Sequence, residues 1–293
     1  MNVAGILLAL AASVCWALAM VLEKLGLRWM GIVTYSAIRP FLGLLFVVPY
    51  GFLTGGFENP ALHLVAIAFV GGFLDSFLAA LLFRTALRKN PAHKVTALSL
   101  TAPFWGVVAA VLILGEQPRW AVFVAAALVV SGAVFLVDQR RRGMSRSDHT
   151  VWGTVLSLSA GIIWGIADTI PTKYCLTHGM TPLTYQLILV STAGICWGVF
   201  AMVCRSTKRP LRFSWRGFGI ALVTAFVSLF LGWCLWLSAL ALAPASLLVP
   251  VHGSMTLFAF LFSVLILRER PSARSAIGVA LTFAGVLIAS ISA

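Results

Sequence analysis

The chain has 293 residues, 61% of them hydrophobic and only 10% charged, with a mean hydropathy of +1.02. A soluble domain carries about a quarter of its residues as charges, so a water-soluble globular protein is excluded. The net charge of +13 would suggest nucleic acid in a soluble chain. Here the basic residues gather between apolar runs, where they report topology and anionic headgroups, and no nucleic-acid partner is expected.

A helix needs roughly 20 apolar residues to cross a ~30 Å hydrocarbon layer. Ten stretches meet this, at about 3–22, 33–53, 62–82, 95–114, 119–137, 151–170, 183–203, 216–238, 245–267 and 275–292. The connectors are too short for a separate domain. The expectation is an all-α membrane protein with ten transmembrane helices.

In the first span, "ALA" at 17–19 resembles a signal-peptide cleavage site, but no basic region precedes it, and a retained helix is expected. Trp16 shares a helical face with Ser13, Ala19, Met20 and Glu23, and reads either as a cavity wall or as packing. Glu23 is expected at the solvated end of the span, paired with Lys24. Arg39, before Pro40 in the second span, reads as a snorkelling side chain or as a clamp for a substrate carboxylate.

The third span contains "FVGGFLDSFLAALLF" (69–83), with Asp75 as its single charge. An ionised Asp at mid-membrane costs roughly 2.5–3.5 kcal/mol on insertion scales, so it should face a cavity or a partner. Gly71, Gly72 and Ala79 share its face and allow close approach. The alternative is a protonated Asp75 holding two helices together. In the fourth span Pro103 frees the carbonyl of Ser99, and Glu116 ends the helix near Arg119.

A basic linker is expected at 139–150. In the sixth span Trp164 and Asp168 lie one turn apart, with Gly161 and Gly165 close by and Pro171 loosening the helix beyond. A tryptophan beside a carboxylate suits an organic cation, through Coulomb attraction and a cation–π face. The same pair also reads as an interfacial tryptophan and a helix-end acid. In the ninth span Pro250 frees the Ser246 carbonyl, and His252 reads as a proton-coupling group or as a satisfied hydrogen-bonding residue. Glu269 ends that span between Arg268 and Arg270. The five cysteines form no CxxC pair and read as packing residues.

The chain repeats itself. "GILLALAASVCWALA" (5–19) aligns with "GTVLSLSAGIIWGIA" (153–167), "ALRKNPA" (86–92) with "ALALAPA" (239–245), and "LILGEQP" (112–118) with "LILRERP" (265–271). The last two pairs share an offset of 153 residues, which also relates Gly132 to Gly285 and Ser99 to His252. Two five-helix copies, 1–138 and 151–293, follow, and an odd number of helices inverts the second copy. Charge agrees: loops after odd-numbered spans carry 18 Lys and Arg, the others two, Arg119 and Lys173. Positive-inside bias puts the basic loops in the cytoplasm and both termini outside.

With the Trp16 and Trp164 helices, the "AL…PA" elements, Ala102-Pro103, and Glu116 and Glu269 at matched places, the sequence resembles the ten-helix EamA-type carriers of the drug/metabolite transporter superfamily over essentially its whole length. The resemblance implies two inverted five-helix bundles around a central cavity, alternating access, and small metabolites as substrates. Members of that family are often described with cytoplasmic termini, and the charge pattern here departs from this.

The functional expectation is a secondary transporter of the inner membrane, of the amino-acid or drug/metabolite exporter type. Substrate would sit near the midplane at Trp16, Asp75, Ser99, Trp164, Asp168 and His252. Arg39, Pro103, Pro250, Glu116 and Glu269 would serve gating or coupling, with proton coupling open. The alternative substrate is a cationic amine or quaternary ammonium compound held by Trp and Asp; a passive channel is the remaining rival. No GxxxxGK[ST], HExxH or GxSxG occurs, so ATP hydrolysis and catalysis are not expected, nor is a metal or cofactor.

Overall fold

In hydrocarbon every backbone N–H and C=O must find a partner within its own segment, so apolar runs of this length become helices. A computed structural model describes residues 3–89, 99, 101–117, 119–137, 149–206, 212–267 and 273–291. Among the described residues there are helices and no strand. In chain order these are α1 (Val3–Trp29), α2 (Ile32–Thr54), α3 (Leu62–Gly72), α4 (Ala80–Lys89), α5 (Ala102–Leu114), α6 (Trp120–Val137) and α7 (His149–Ala167). They continue with α8 (Ile170–Thr177), α9 (Pro182–Ser206), α10 (Trp215–Thr224), α11 (Trp233–Leu242), α12 (Ala245–His252), α13 (Met255–Leu267) and α14 (Ala273–Ile291).

Seven helices among the described residues are long and apolar enough to cross a membrane: Val3–Trp29, Ile32–Thr54, Leu62–Ala86, Trp152–Thr177, Pro182–Ser206, Trp215–Leu242 and Ala245–Ile266. Ala102–Leu114 and Trp120–Gly132 are shorter apolar helices. The first helix outruns its expected end at residue 22 because Glu23 and Lys24 are helical. Of the expected linker, 139–148 lie outside the described residues, and His149 and Thr150 already belong to α7.

Three features shape the bundle's interior. The α3–α4 rod passes through a π-helical stretch, Phe73–Ala79, and the α10–α11 rod through another, Ala225–Gly232. Wider i→i+5 turns free backbone groups locally. The α7–α8 rod breaks at Asp168-Thr169, with Pro171 in the first turn of α8, where a missing N–H costs nothing. The α12–α13 rod breaks at Gly253-Ser254, directly after His252. At the 153-residue offset, Thr101 forms the turn that opens α5.

Packing is set by small residues. A Cβ on Gly132 of α6 would lie 2.7 Å from Gly278 O, and one on Gly285 of α14 2.7 Å from Ala125 O. These two helices therefore cross at backbone contact, as membrane helices do when small residues meet. On the face of Asp75, Gly72 lies against the backbone of Leu189 in α9, and Gly71 against Tyr185 and Pro171. The first helix of each sequence copy packs on the other copy: α1 against α10, α11 and α13, and α7 against α4 and α5.

Candidate functional site

Where the π stretches and broken helices converge lies a cavity of about 200 Å³. All six residues expected to bind substrate line it: Trp16, Asp75, Ser99, Trp164, Asp168 and His252. Arg39 and Pro103 line it too.

Asp75 sits on the first π stretch, buried, and accepts a hydrogen bond from the Ser76 hydroxyl. Asp168 enters the same cavity from the α7–α8 break. Two carboxylates in one cavity repel, and a proton or a cation beside them relieves that repulsion. The Asp168 Oδ1 oxygen is buried and has no partner. Buried oxygens without a protein partner are rare. Ser36 Oγ, Thr169 Oγ1 and Arg39 Nε are in the same condition, and all belong to residues lining the cavity.

The π stretches expose carbonyls, and indoles take them. Trp164 Nε1 donates to Asp75 O at 3.2 Å and Trp197 Nε1 to Ser76 O at 2.8 Å. On the second stretch Trp16 Nε1 donates to Ser228 O at 3.2 Å. Ser228 is the counterpart of Asp75 at the 153-residue offset, so the repeat-related tryptophans Trp16 and Trp164 bind repeat-related carbonyls. Trp236 Nε1 donates to Asp168 O at 3.4 Å. Trp16 meets Trp233 at 5.5 Å and 79°, Trp236 at 6.1 Å and 63°, and His252 at 4.8 Å and 78°. Rings at such angles make the corner of a box rather than a stack. His252 Nδ1 lies 3.3 Å from the Ser13 hydroxyl.

An ion cluster closes the basic-loop end. Glu23 accepts two hydrogen bonds from Arg84, at 2.8 and 2.6 Å, and pairs with Arg39 at 3.5 Å. This corrects the expectation of a solvated Glu23 paired with Lys24: the carboxylate is 17% exposed, and its Oε1 accepts both Arg84 bonds. Arg39 does not snorkel outward either; its side chain is 13% exposed and also donates to the Ser228 hydroxyl. The Arg84 guanidinium lies 5.3 Å from the Trp197 ring centre.

At the opposite end, Glu116 and Lys173 grip the α11–α12 turn. Glu116 accepts from Ala245 N at 3.0 Å and Ser246 N at 2.7 Å. Lys173 donates to Leu240 O at 2.5 Å and Ala243 O at 2.8 Å. An anion thus meets the start of α12 and a cation the end of α11, each matching the local helix dipole. Pro250 lies buried within α12 and does not line the cavity, while Glu269 lies outside the described residues.

Sequence reasoning missed Trp197, Trp233, Trp236, Ser228, Ser36, Thr169, Glu23 and Arg84 as cavity residues. The offset to Asp75 could have found Ser228. Arg84 and Trp197 carried no local signal, since their partners are distant in sequence.

The profile of the EamA-like transporter family matches residues 3–138 and 151–291. An uncharacterized transporter of Archaeoglobus fulgidus is 23% identical over 278 residues, covering 93% of this chain and 92% of that one. A crystal structure described only as a protein superposes with a TM-score of 0.82 at 16% identity, over 98% of this chain and 96% of the other.

Proposed function

The chain belongs to the EamA-like transporter family, a multi-pass membrane transporter and not an enzyme, and from that premise we propose an alternating-access secondary carrier whose cavity receives the ammonium group of a small polar metabolite. The observation that carries this reading is the unpartnered Asp168 Oδ1 among five tryptophans. Such a site offers a cation both a counter-charge and aromatic faces. The unpartnered Arg39 Nε favours a second reading, a zwitterion whose carboxylate lies toward Arg39.

In this reading residues 1–138 and 151–293 are inverted five-helix repeats, with the basic loops in the cytoplasm, as the charge bias supports. The matched π stretches and the helix breaks at Thr101 and Gly253-Ser254 support it as well. In this reading the Asp75 and Asp168 carboxyls hold a proton that the cation displaces, which couples transport to proton exchange. The Glu116–Lys173 clasp is the gate on the face away from the basic loops. It lies about 6 Å beyond the cavity floor at 1.5 Å per residue, since Leu240 follows Trp236, and Ala245 precedes Val249, by four residues.

The test is a thermal-stability screen of the purified protein against amines, amino acids, sugars and nucleotides, followed by flux into liposomes. A ligand at a hundredfold excess over Kd stabilises by ~2.7 kcal/mol. Amines should stabilise the wild type and lose that effect in Asp168→Asn. Stabilisation of both proteins by neutral solutes alone rejects the ammonium reading, and flux that never saturates rejects a carrier.

A further inference from the structure

We propose that Glu23 is the latch of a second gate, at the basic-loop end of the cavity, and that this gate opens when the bond between Glu23 and Arg84 breaks. The inference rests on the carrier reading above and goes beyond it. The Glu116–Lys173 clasp guards one face, and alternating access needs a separate barrier at the other.

The placement of the pair carries the argument. Glu23 and Arg84 both line the cavity, from different helices. Glu23 stands one turn beyond Ala19 toward the basic loops, and Arg84 one turn beyond Ala80; Ala19 and Ala80 line the cavity as well. The two helices have different partners: α1 packs on α10, α11 and α13, and α4 packs on α7. A bond between them therefore ties separately packed walls across the end of the cavity. Glu23 Oε1 accepts both Arg84 N–H groups, at 2.8 and 2.6 Å, and Oε2 lies 3.5 Å from Arg39.

An ion pair suits a latch that must hold two states. Closed, the pair is shut away from bulk water, with Arg84 only 6% exposed, so its attraction is weakly screened. Opening admits water, and the hydration each ion gains offsets the attraction it loses. An apolar plug gains nothing of this kind, because opening it exposes its own surface to water.

The latch also reaches both walls of the site. Arg84 rests on Trp197, whose indole donates to Ser76 O, beside Asp75 on the first π stretch. Arg39 donates to the Ser228 hydroxyl on the second π stretch. Glu23 holds both arginines, so a ligand that shifts either stretch moves a partner of the latch.

The experiment measures access to the cavity from each face separately. In a background without native cysteines, Met20→Cys, at a cavity-lining position, is labelled in sealed membrane vesicles of each orientation with a membrane-impermeant thiol reagent. The parent should react slowly from both faces. Arg84→Lys keeps the charge but loses the guanidinium fork, and should raise the rate from the basic-loop face about threefold. Glu23→Gln removes the latch and should raise it about tenfold. The rate from the opposite face should stay unchanged in both variants. Should Glu23→Gln fail to fold, Arg84→Lys decides. A rate from the basic-loop face that Arg84→Lys leaves unchanged, or raises equally from both faces, makes the pair a structural tie and leaves the carrier reading standing. Fast labelling of the parent from the basic-loop face overturns the gate, and fast labelling from both faces overturns the carrier as well.

Discussion

Asp75 and Asp168 line one cavity, and two carboxylates so placed repel unless a proton or a cation stands with them. If a substrate cation replaces that proton, the apparent Kd for the cation falls by up to tenfold per pH unit where the two compete. Tyr185, Arg39, Arg84 and Glu23 surround the pair, and His252 lines the same cavity. Asp168→Asn and Asp75→Asn should each flatten a plot of log Kd against pH, and His252→Gln should leave its slope intact. A slope that survives both acid variants removes the pair from coupling. Glu23 makes a different prediction. Glu23→Gln leaves two guanidinium groups buried without their carboxylate, and breaking such a cluster costs roughly 3–5 kcal/mol. Chemical unfolding in detergent should show that loss and a partial recovery in the double variant with Arg84→Met. These residues differ in how much the sequence alone revealed. A polar side chain at mid-membrane must face protein or water, so Asp75, Asp168, Trp164 and His252 announce themselves. The misreading of Glu23 has the same physical root: its partner Arg84 lies 61 residues away, and only the packed bundle brings them together.

Apolar stretches were legible as helices because hydrocarbon allows little else, yet their irregularities were hidden. Phe73–Ala79 carries Asp75 and Ser76 and Ala225–Gly232 carries Ser228, but such residues occur in α-helical turns as well, so they do not mark a wider turn. The proline positions were better guides: Pro171 and Pro103 stand in the opening turns of α8 and α5. The glycines make a prediction for the elements themselves. Gly285→Ala would push a methyl into the backbone of α6, whereas Gly198 on α9 has nothing within 4 Å of where a Cβ would stand. Overpacking of this kind costs about 1–3 kcal/mol. Thermal unfolding should therefore show a clear loss for Gly285→Ala and Gly132→Ala, and none for Gly198→Ala. Equal effects at all three sites would mean that the crossing of α6 and α14 tolerates separation.

At the scale of the whole molecule, α1 packs on α10, α11 and α13 and α7 on α4 and α5, an exchange between the two ends of the chain that was not legible, because sequence says nothing about which partner a helix face packs on. That exchange lets a movement of one half be felt by the other, and makes the Glu116–Lys173 clasp consequential. Losing even one charge-assisted bond to a helix start is worth ~1.5 kcal/mol or more, about a tenfold shift in a two-state equilibrium. In a background without native cysteines, Val249→Cys should react about tenfold faster with a membrane-impermeant thiol reagent, applied from the face away from the basic loops, once Glu116 becomes Ala. Lys173→Met provides a second route to the same opening. Unchanged labelling in both variants would make the clasp a fixed cap rather than a gate.

The placement of α1 also sets a timetable for biosynthesis. Residue 29 ends this helix, but α13, one of its principal neighbours, begins at residue 255. At ~5–20 residues per second, α1 waits in the bilayer for roughly 10–45 s before that neighbour is made. Arg84 is synthesised within roughly 3–12 s of Glu23, so the nascent chain can neutralise its first buried acid long before the bundle closes. The ion cluster at the mouth of the cavity would then act first as a chaperone for its own helix, and only later as part of a finished transporter.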